Sequence, residues 1–184
     1  NNVFKISDVD STSLLDGFTI RNGDATANGT SYPLNSGGGI LMQGGTDYIK
    51  LRNLIVERCN GDNNGSGIYL RGAKTILENL VIQNNFKGGI ELSAGGAHAI
   101  LRDVLITNNG SKPGIFIYDT GIEIYNSEIS NNDYGGIVYS GVGTSPNIFV
   151  NVLFLNNGNA TNSSNFGGAI NFSIQGADVA INNC

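Results

Sequence analysis

Short stretches in which apolar and polar residues alternate run the length of the chain, each closed by Gly, Asn or Ser. Alternation with a period of two is the signature of half-buried strands, and no 3.6-residue stripe competes with it. One phrase recurs: an apolar residue, a variable one, then Asn or Asp as a marker, then further alternating positions. Its copies are Leu51-Arg52-Asn53-Leu54-Ile55-Val56, Leu77-Glu78-Asn79-Leu80-Val81-Ile82, Leu101-Arg102-Asp103-Val104-Leu105-Ile106, Ile124-Tyr125-Asn126-Ser127-Glu128-Ile129 and Phe149-Val150-Asn151-Val152-Leu153-Phe154. With Gly17 and Asn183 included, the markers at 17, 53, 79, 103, 126, 151 and 183 step by 36, 26, 24, 23, 25 and 32 residues. A second phrase, one or two glycines before an apolar strand, keeps step with the first at Gly39-Ile40, Gly67-Ile68, Gly89-Ile90, Gly114-Ile115 and Gly136-Ile137.

A repeat of a little under 25 residues holds about three short strands, too few to close a core alone. Stacking successive repeats about 4.8 Å apart pairs every strand with its equivalents above and below. The expected fold is therefore all-β, a single-stranded parallel β-helix of about seven turns with three short strands per turn, filling residues 1–184 as one unit. Longer steps place loop insertions near 23–37 and 158–166. Five residues after the marker, Asn22, Asn84, Asn108, Asn131 and Asn156 form a column broken by Arg58. An amide both donates and accepts, and Asn tolerates the left-handed backbone of a tight corner, so this column is expected to form a hydrogen-bonded ladder.

The phrase Ile82-Gln83-Asn84-Asn85 followed by Gly88-Gly89-Ile90, with its copies, resembles the right-handed parallel β-helix repeats of the pectate-lyase-like superfamily. Phe154-Leu155-Asn156-Asn157 with Gly167-Gly168-Ala169-Ile170 is similar to the FxxN and GGAI motifs of polymorphic outer-membrane autotransporter repeats, and Leu15-Asp16-Gly17-Phe18-Thr19-Ile20 to β-helix regions of large secreted bacterial proteins. The resemblance implies an extracellular or cell-surface setting. Because strand-like residues stand at both ends without a cover, the chain is expected to be a segment of a longer protein whose remainder is its first partner.

Composition narrows the functional classes. Ten Lys and Arg against fifteen Asp and Glu, net −5, leave no basic stripe for nucleic acid. No apolar run reaches the roughly 18 residues of a membrane span. Cys59 and Cys184 lie five turns apart, about 24 Å, beyond the roughly 7 Å a disulfide allows, so both are expected to be free thiols filling buried positions.

Candidate chemistry is sparse. On the glycine-led strand, Leu41, Tyr69, Glu91, Phe116 and Val138 are expected to point outward, and Tyr69, Arg71, Glu91 and Phe116 form a candidate carbohydrate or partner face. Ile55, Val81, Leu105 and Leu153 form an outward apolar stripe interrupted by Glu128, expected to be covered by a loop, a neighbouring domain or a partner protein. Asp16, Arg52, Glu78 and Arg102 alternate in sign, which stabilises strand pairing. Asp24 and Asp62 offer hard oxygen ligands, making calcium the one cofactor in view. The acidic residues Asp119, Glu123, Glu128 and Asp133 are spread over turns and different strands, and His98 reads as a lone surface imidazole. No catalytic set emerges. The reading is a non-catalytic stalk or adhesin-like segment that binds a partner or carbohydrate; the alternative, implied by the resemblance, is a polysaccharide lyase or glycoside hydrolase.

Overall fold

A computed structural model describes residues 1–26, 35–45, 47–62, 65–93, 97–142, 146–158, 168–175 and 178–184. In chain order the strands are β1 (Phe4–Ser7), β2 (Leu14–Asp16), β3 (Thr19–Arg21), β4 (Ile40–Gln43), β5 (Ile49–Glu57), β6 (Ile68–Arg71), β7 (Lys74–Gln83) and β8 (Ile90–Ser93). They continue as β9 (His98–Arg102), β10 (Leu105–Thr107), β11 (Ile115–Tyr118), β12 (Gly121–Ser130), β13 (Ile137–Val142), β14 (Asn147–Leu155), β15 (Ile170–Gln175) and β16 (Val179–Asn182). One sheet stacks β1-β4-β6-β8-β11-β13-β15, a second runs β16-β14-β12-β10-β7-β5-β2, and every pairing is parallel. The molecule is a parallel β-solenoid, and equivalent residues of successive repeats pair in register: Leu51↔Leu77, Leu77↔Leu101 and Ile124↔Phe149.

The expected three strands per turn are refined rather than replaced. In β5, β7, β12 and β14 two of them run on as one strand of nine or ten residues, bent at its marker. The reason is visible in the backbone. Gly17, Asn53, Asn79, Asp103, Asn126, Asn151 and Asn183 all have φ between +48° and +77°. A single left-handed residue turns the chain and shifts the alternation, so the buried positions across it are three apart rather than two: Leu51 then Leu54, Leu77 then Leu80, Leu101 then Val104. Asn and Asp reach this conformation more cheaply than other non-glycine residues.

The asparagine column five residues past the marker has the same role and not the one expected of it. Asn22, Asn84, Asn108, Asn131 and Asn156 have φ near +55° and are exposed. The hydrogen-bonded ladder is built one residue later. Asn85 donates through Nδ2 to Asn109 Oδ1 at 2.9 Å, Asn109 to Asn132 at 3.0 Å, and Asn132 to Asn157 at 3.0 Å. The corner itself swings the next side chain inward, where its amide must be satisfied by its own kind. Cys59 takes the ladder position in the second repeat, its N–H donating to Asn85 Oδ1. The glycine phrase follows from the ladder. A Cβ on Gly89 would lie 2.7 Å from Gly114 O and 3.2 Å from Asn109 Nδ2, so the two columns pack too closely for a side chain.

Inside, Ile40, Met42, Ile68, Leu70, Ile90, Leu92, Ile115 and Ile117 from the first sheet meet Leu51, Val56, Leu77, Ile82, Leu101, Ile106, Ile124 and Phe149 from the second. Cys59 and Cys184 are both free; Cys59 is fully buried, whereas Cys184 is exposed and not the core filler expected. The expected insertions at 23–37 and 158–166 lie largely outside the described residues.

Candidate functional site

The glycine-led strand face does not form the open surface expected of it. Tyr69 and Leu41 are fully buried, Glu91 is 4% and Val138 2% exposed; only Phe116 and Arg71 are half-buried. Alternation does point these side chains away from the core, but backbone from the inter-strand segments lies over them. Gly37 sits against Tyr69 Cβ, Gly65 against the Glu91 backbone, and the Gly65 N–H donates to the buried Glu91 carboxylate at 3.1 Å. The Tyr69 hydroxyl is engaged with Ser93 Oγ at 2.6 Å. Tyr69 and Glu91 therefore belong to a second, covered layer.

Asp24 and Asp62 do not converge on a cation. Asp24 Oδ1 accepts from the Thr26 N–H and hydroxyl, which hold its carboxyl below the usual carboxylate range. Asp62 lies 3.8 Å from Lys87 Nζ, a charge that opposes a metal there. Among the described residues no three of His, Cys, Asp and Glu are placed to hold a metal ion.

On the second sheet the registers assemble two outward rows. Ile55, Val81, Leu105, Glu128 and Leu153 are direct neighbours, as the alternation predicts. Ile55 is 38% and Leu153 53% exposed, so the expected cover does not lie over them among the described residues. Before the marker, Asp16, Arg52, Glu78, Arg102 and Tyr125 also stand in one row. Arg52 Nη2 is 2.7 Å from Asp16 Oδ2 in a surface pair.

Beside that row lies a cluster that the repeat alone did not reveal. His98, the sole histidine, is 8% exposed rather than a surface imidazole. Its register neighbours are Lys74 on β7 and Gly121 on β12, and the missing side chain at Gly121 leaves that flank open to Glu123, two residues along. His98 Nε2 lies 3.8 Å from Glu123 Oε1, and Nδ1 lies 3.0 Å from the Tyr48 hydroxyl, which arrives from just before β5. The Tyr48 ring meets the imidazole edge-on at 5.9 Å and has Lys74 Nζ 6.0 Å from its centre. Glu123 Oε2 accepts from the Tyr125 hydroxyl at 2.7 Å, and the Arg102 guanidinium sits 5.6 Å from the Tyr125 ring centre. The result is two tyrosines, each with a cation beside its face, around one carboxylate and one buried imidazole.

The electrostatics follow from burial. Desolvation pushes the His98 imidazolium's pKa below its ordinary value; Glu123 opposes that shift and Lys74 adds to it. Burial raises the Tyr48 hydroxyl, and donation to Glu123 raises that of Tyr125, so both are neutral donors across the physiological range. The Tyr48 hydroxyl and Nδ1 share one hydrogen bond, and Nε2 faces the Glu123 carboxylate at 3.8 Å, beyond hydrogen-bonding distance. The repeat register puts Lys74 beside His98 and Glu123 beside Ile100, but it gives no signal for Tyr48, which lies outside the repeated strands.

A family model described as right-handed β-helix region matches residues 1–157. The chain belongs to the right-handed β-helix family. No curated protein and no solved structure shows significant similarity to it. Membership in this family carries the fold. Among the described residues no helix is long and apolar enough to cross a membrane.

Proposed function

We propose that this β-helix is a non-catalytic, stalk or adhesin-like segment of an extracellular or cell-surface protein, and that it binds carbohydrate on the outer face of its second sheet. One observation carries the reading: Tyr48 and Tyr125 stand half-exposed beside Lys74 and Arg102, with Glu123 between them. Aromatic rings supply apolar faces for the C–H surface of a sugar, while their hydroxyls and a fixed carboxylate meet sugar hydroxyls. The parallel pairing of β7, β9 and β12 holds Lys74, Arg102, Glu123 and Tyr125 at fixed spacing, so little ordering entropy is lost on binding. A glycan array probed with the purified chain tests the proposal. Binding should weaken about tenfold, or about 1.4 kcal/mol, in Tyr125→Ala. An array with no bound glycan, or one whose binding is untouched by Tyr125→Ala, refutes it.

A second reading, a polysaccharide lyase or glycoside hydrolase, is favoured by one feature, the contact of Glu123 with both His98 and Tyr125. A carboxylate and a neutral imidazole in contact are the kind of pair that moves protons. Depolymerisation of a bound glycan, abolished by Glu123→Gln, would establish this reading over the first.

A further inference from the structure

His98 Nε2 and Glu123 Oε1 face each other across 3.8 Å, whereas an N–H···O bond spans about 2.7–3.2 Å. A ring nitrogen and a carboxylate oxygen that share a metal ion stand farther apart, because each lies about 2.0–2.2 Å from the ion. At 3.8 Å the two bonds would meet at about 130°, between tetrahedral and linear. We propose that His98 Nε2 and Glu123 Oε1 form a site for a divalent transition-metal ion of the Zn²⁺ type, completed by water. The proposal does not rest on the carbohydrate reading.

Register provides the room. His98 pairs with Lys74 on one flank and with Gly121 on the other, and the absent side chain at Gly121 leaves the second flank to Glu123, two residues along β12. Lys74 belongs to the opposite flank, its Nζ 6.0 Å from the Tyr48 ring centre, so its charge does not stand between the two ligands. Each ligand is also held from behind by a tyrosine. The Tyr125 hydroxyl donates to Glu123 Oε2 at 2.7 Å, which fixes the carboxylate and leaves Oε1 for the ion. A metal-bound imidazole carries its proton on the nitrogen away from the ion and donates it to a fixed acceptor. The Tyr48 hydroxyl oxygen, 3.0 Å from Nδ1, is that acceptor, since a hydroxyl accepts as well as donates. Burial favours the neutral ring, the form in which imidazole is a ligand. One imidazole nitrogen with one carboxylate oxygen suits Zn²⁺ and its first-row neighbours, whereas Ca²⁺ takes about six to eight oxygens. Two protein donors leave the other positions of a tetrahedral ion to water, so the ion stays exchangeable.

The test titrates Zn²⁺ alone into the whole chain at about pH 7.5, by calorimetry and by nitrogen NMR of the His98 ring. The chain carries Cys184→Ser, because an exposed thiol would compete for the ion. The expected result is saturation at one ion per chain, with the His98 Nε2 resonance moving and Nδ1 keeping its proton. His98→Gln and Glu123→Gln should each remove that binding, and Ca²⁺ should not compete for it. Tyr48→Phe, which deletes only the acceptor at Nδ1, should weaken it about tenfold. Should a variant fail to fold, the ring resonances of the unsubstituted site decide alone. No saturable Zn²⁺ binding, an unmoved Nε2 resonance, or binding that survives Glu123→Gln in the folded chain overturns the proposal. Glycan binding plays no part in these readouts, so the metal site and the function proposed above stand or fall separately.

Discussion

Replacing Asn109 by alanine removes the centre of the buried ladder, and the structure allows its cost to be worked out. The Asn109 side chain is fully buried and takes part in four hydrogen bonds. Its Oδ1 accepts from the Asn85 backbone N–H at 3.1 Å and from Asn85 Nδ2 at 2.9 Å; its Nδ2 donates to Ile82 O at 3.1 Å and Asn132 Oδ1 at 3.0 Å. Asn85 Nδ2 keeps Val56 O, and Asn132 Oδ1 keeps the Asn109 N–H, so those two groups stay satisfied. The Asn85 N–H loses its side-chain acceptor, and Ile82 O loses a donor, both in a buried corner. At about 1 kcal/mol for each bond lost, with a further penalty for a stranded donor, Asn109→Ala should cost about 3–5 kcal/mol. That is a large share of the roughly 5–15 kcal/mol that holds a typical domain. The control is the residue next door. Asn108 has the same side chain but is exposed at φ +56°, a conformation glycine reaches freely, so Asn108→Gly should change stability by less than about 1 kcal/mol. Urea unfolding followed by circular dichroism measures both, and amide exchange at Asn85 reports the local loss. A cost below about 1 kcal/mol for Asn109→Ala, or equal costs for the two variants, would refute the assignment of the ladder to the inner asparagine.

Arg58 holds a left-handed corner at φ +55° that its five counterparts give to Asn, so Arg58→Asn should raise stability by about 1 kcal/mol in the same urea assay. Gly89→Ala should lower it by about 1–3 kcal/mol or more, because the new methyl would sit 2.7 Å from Gly114 O and 2.9 Å from Ile106 Cγ2; a neutral result would mean the turns have room to separate. Cys59 is fully buried, and that burial pushes its thiol up, whereas Cys184 is exposed. A thiol reagent should therefore label one cysteine in the native chain and both in denaturant, as mass spectrometry would show, and labelling of Cys59 in native conditions would contradict the packing around it.

Much of this architecture was legible in the sequence because it depends on local preference repeated at a fixed interval. Period-two alternation marked the strands. Asn, Asp and Gly recurred at the markers because each corner needs a left-handed residue, and the steps of 23 to 26 residues between successive markers from 53 to 151 required parallel stacking. Lys74 beside His98 and Glu78 beside Arg102 follow from that same register. The apolar row through Ile55, Val81 and Leu105 was legible for the same reason.

Three things were decided only by the tertiary structure. Which asparagine of each pair turns inward depends on the phase shift at the corner, and Asn84-Asn85 reads the same either way until the backbone is folded. Whether an outward side chain meets solvent depends on segments that do not repeat, so Tyr69 and Glu91 are covered where alternation alone leaves them open. Tyr48 reaches His98 across 50 residues of sequence from outside the strands, and it is this contact that turns a solitary histidine into the centre of a polar cluster. The repeat is a local code and determines the column; what lies against the column is set by non-repeating chain whose position no local preference encodes.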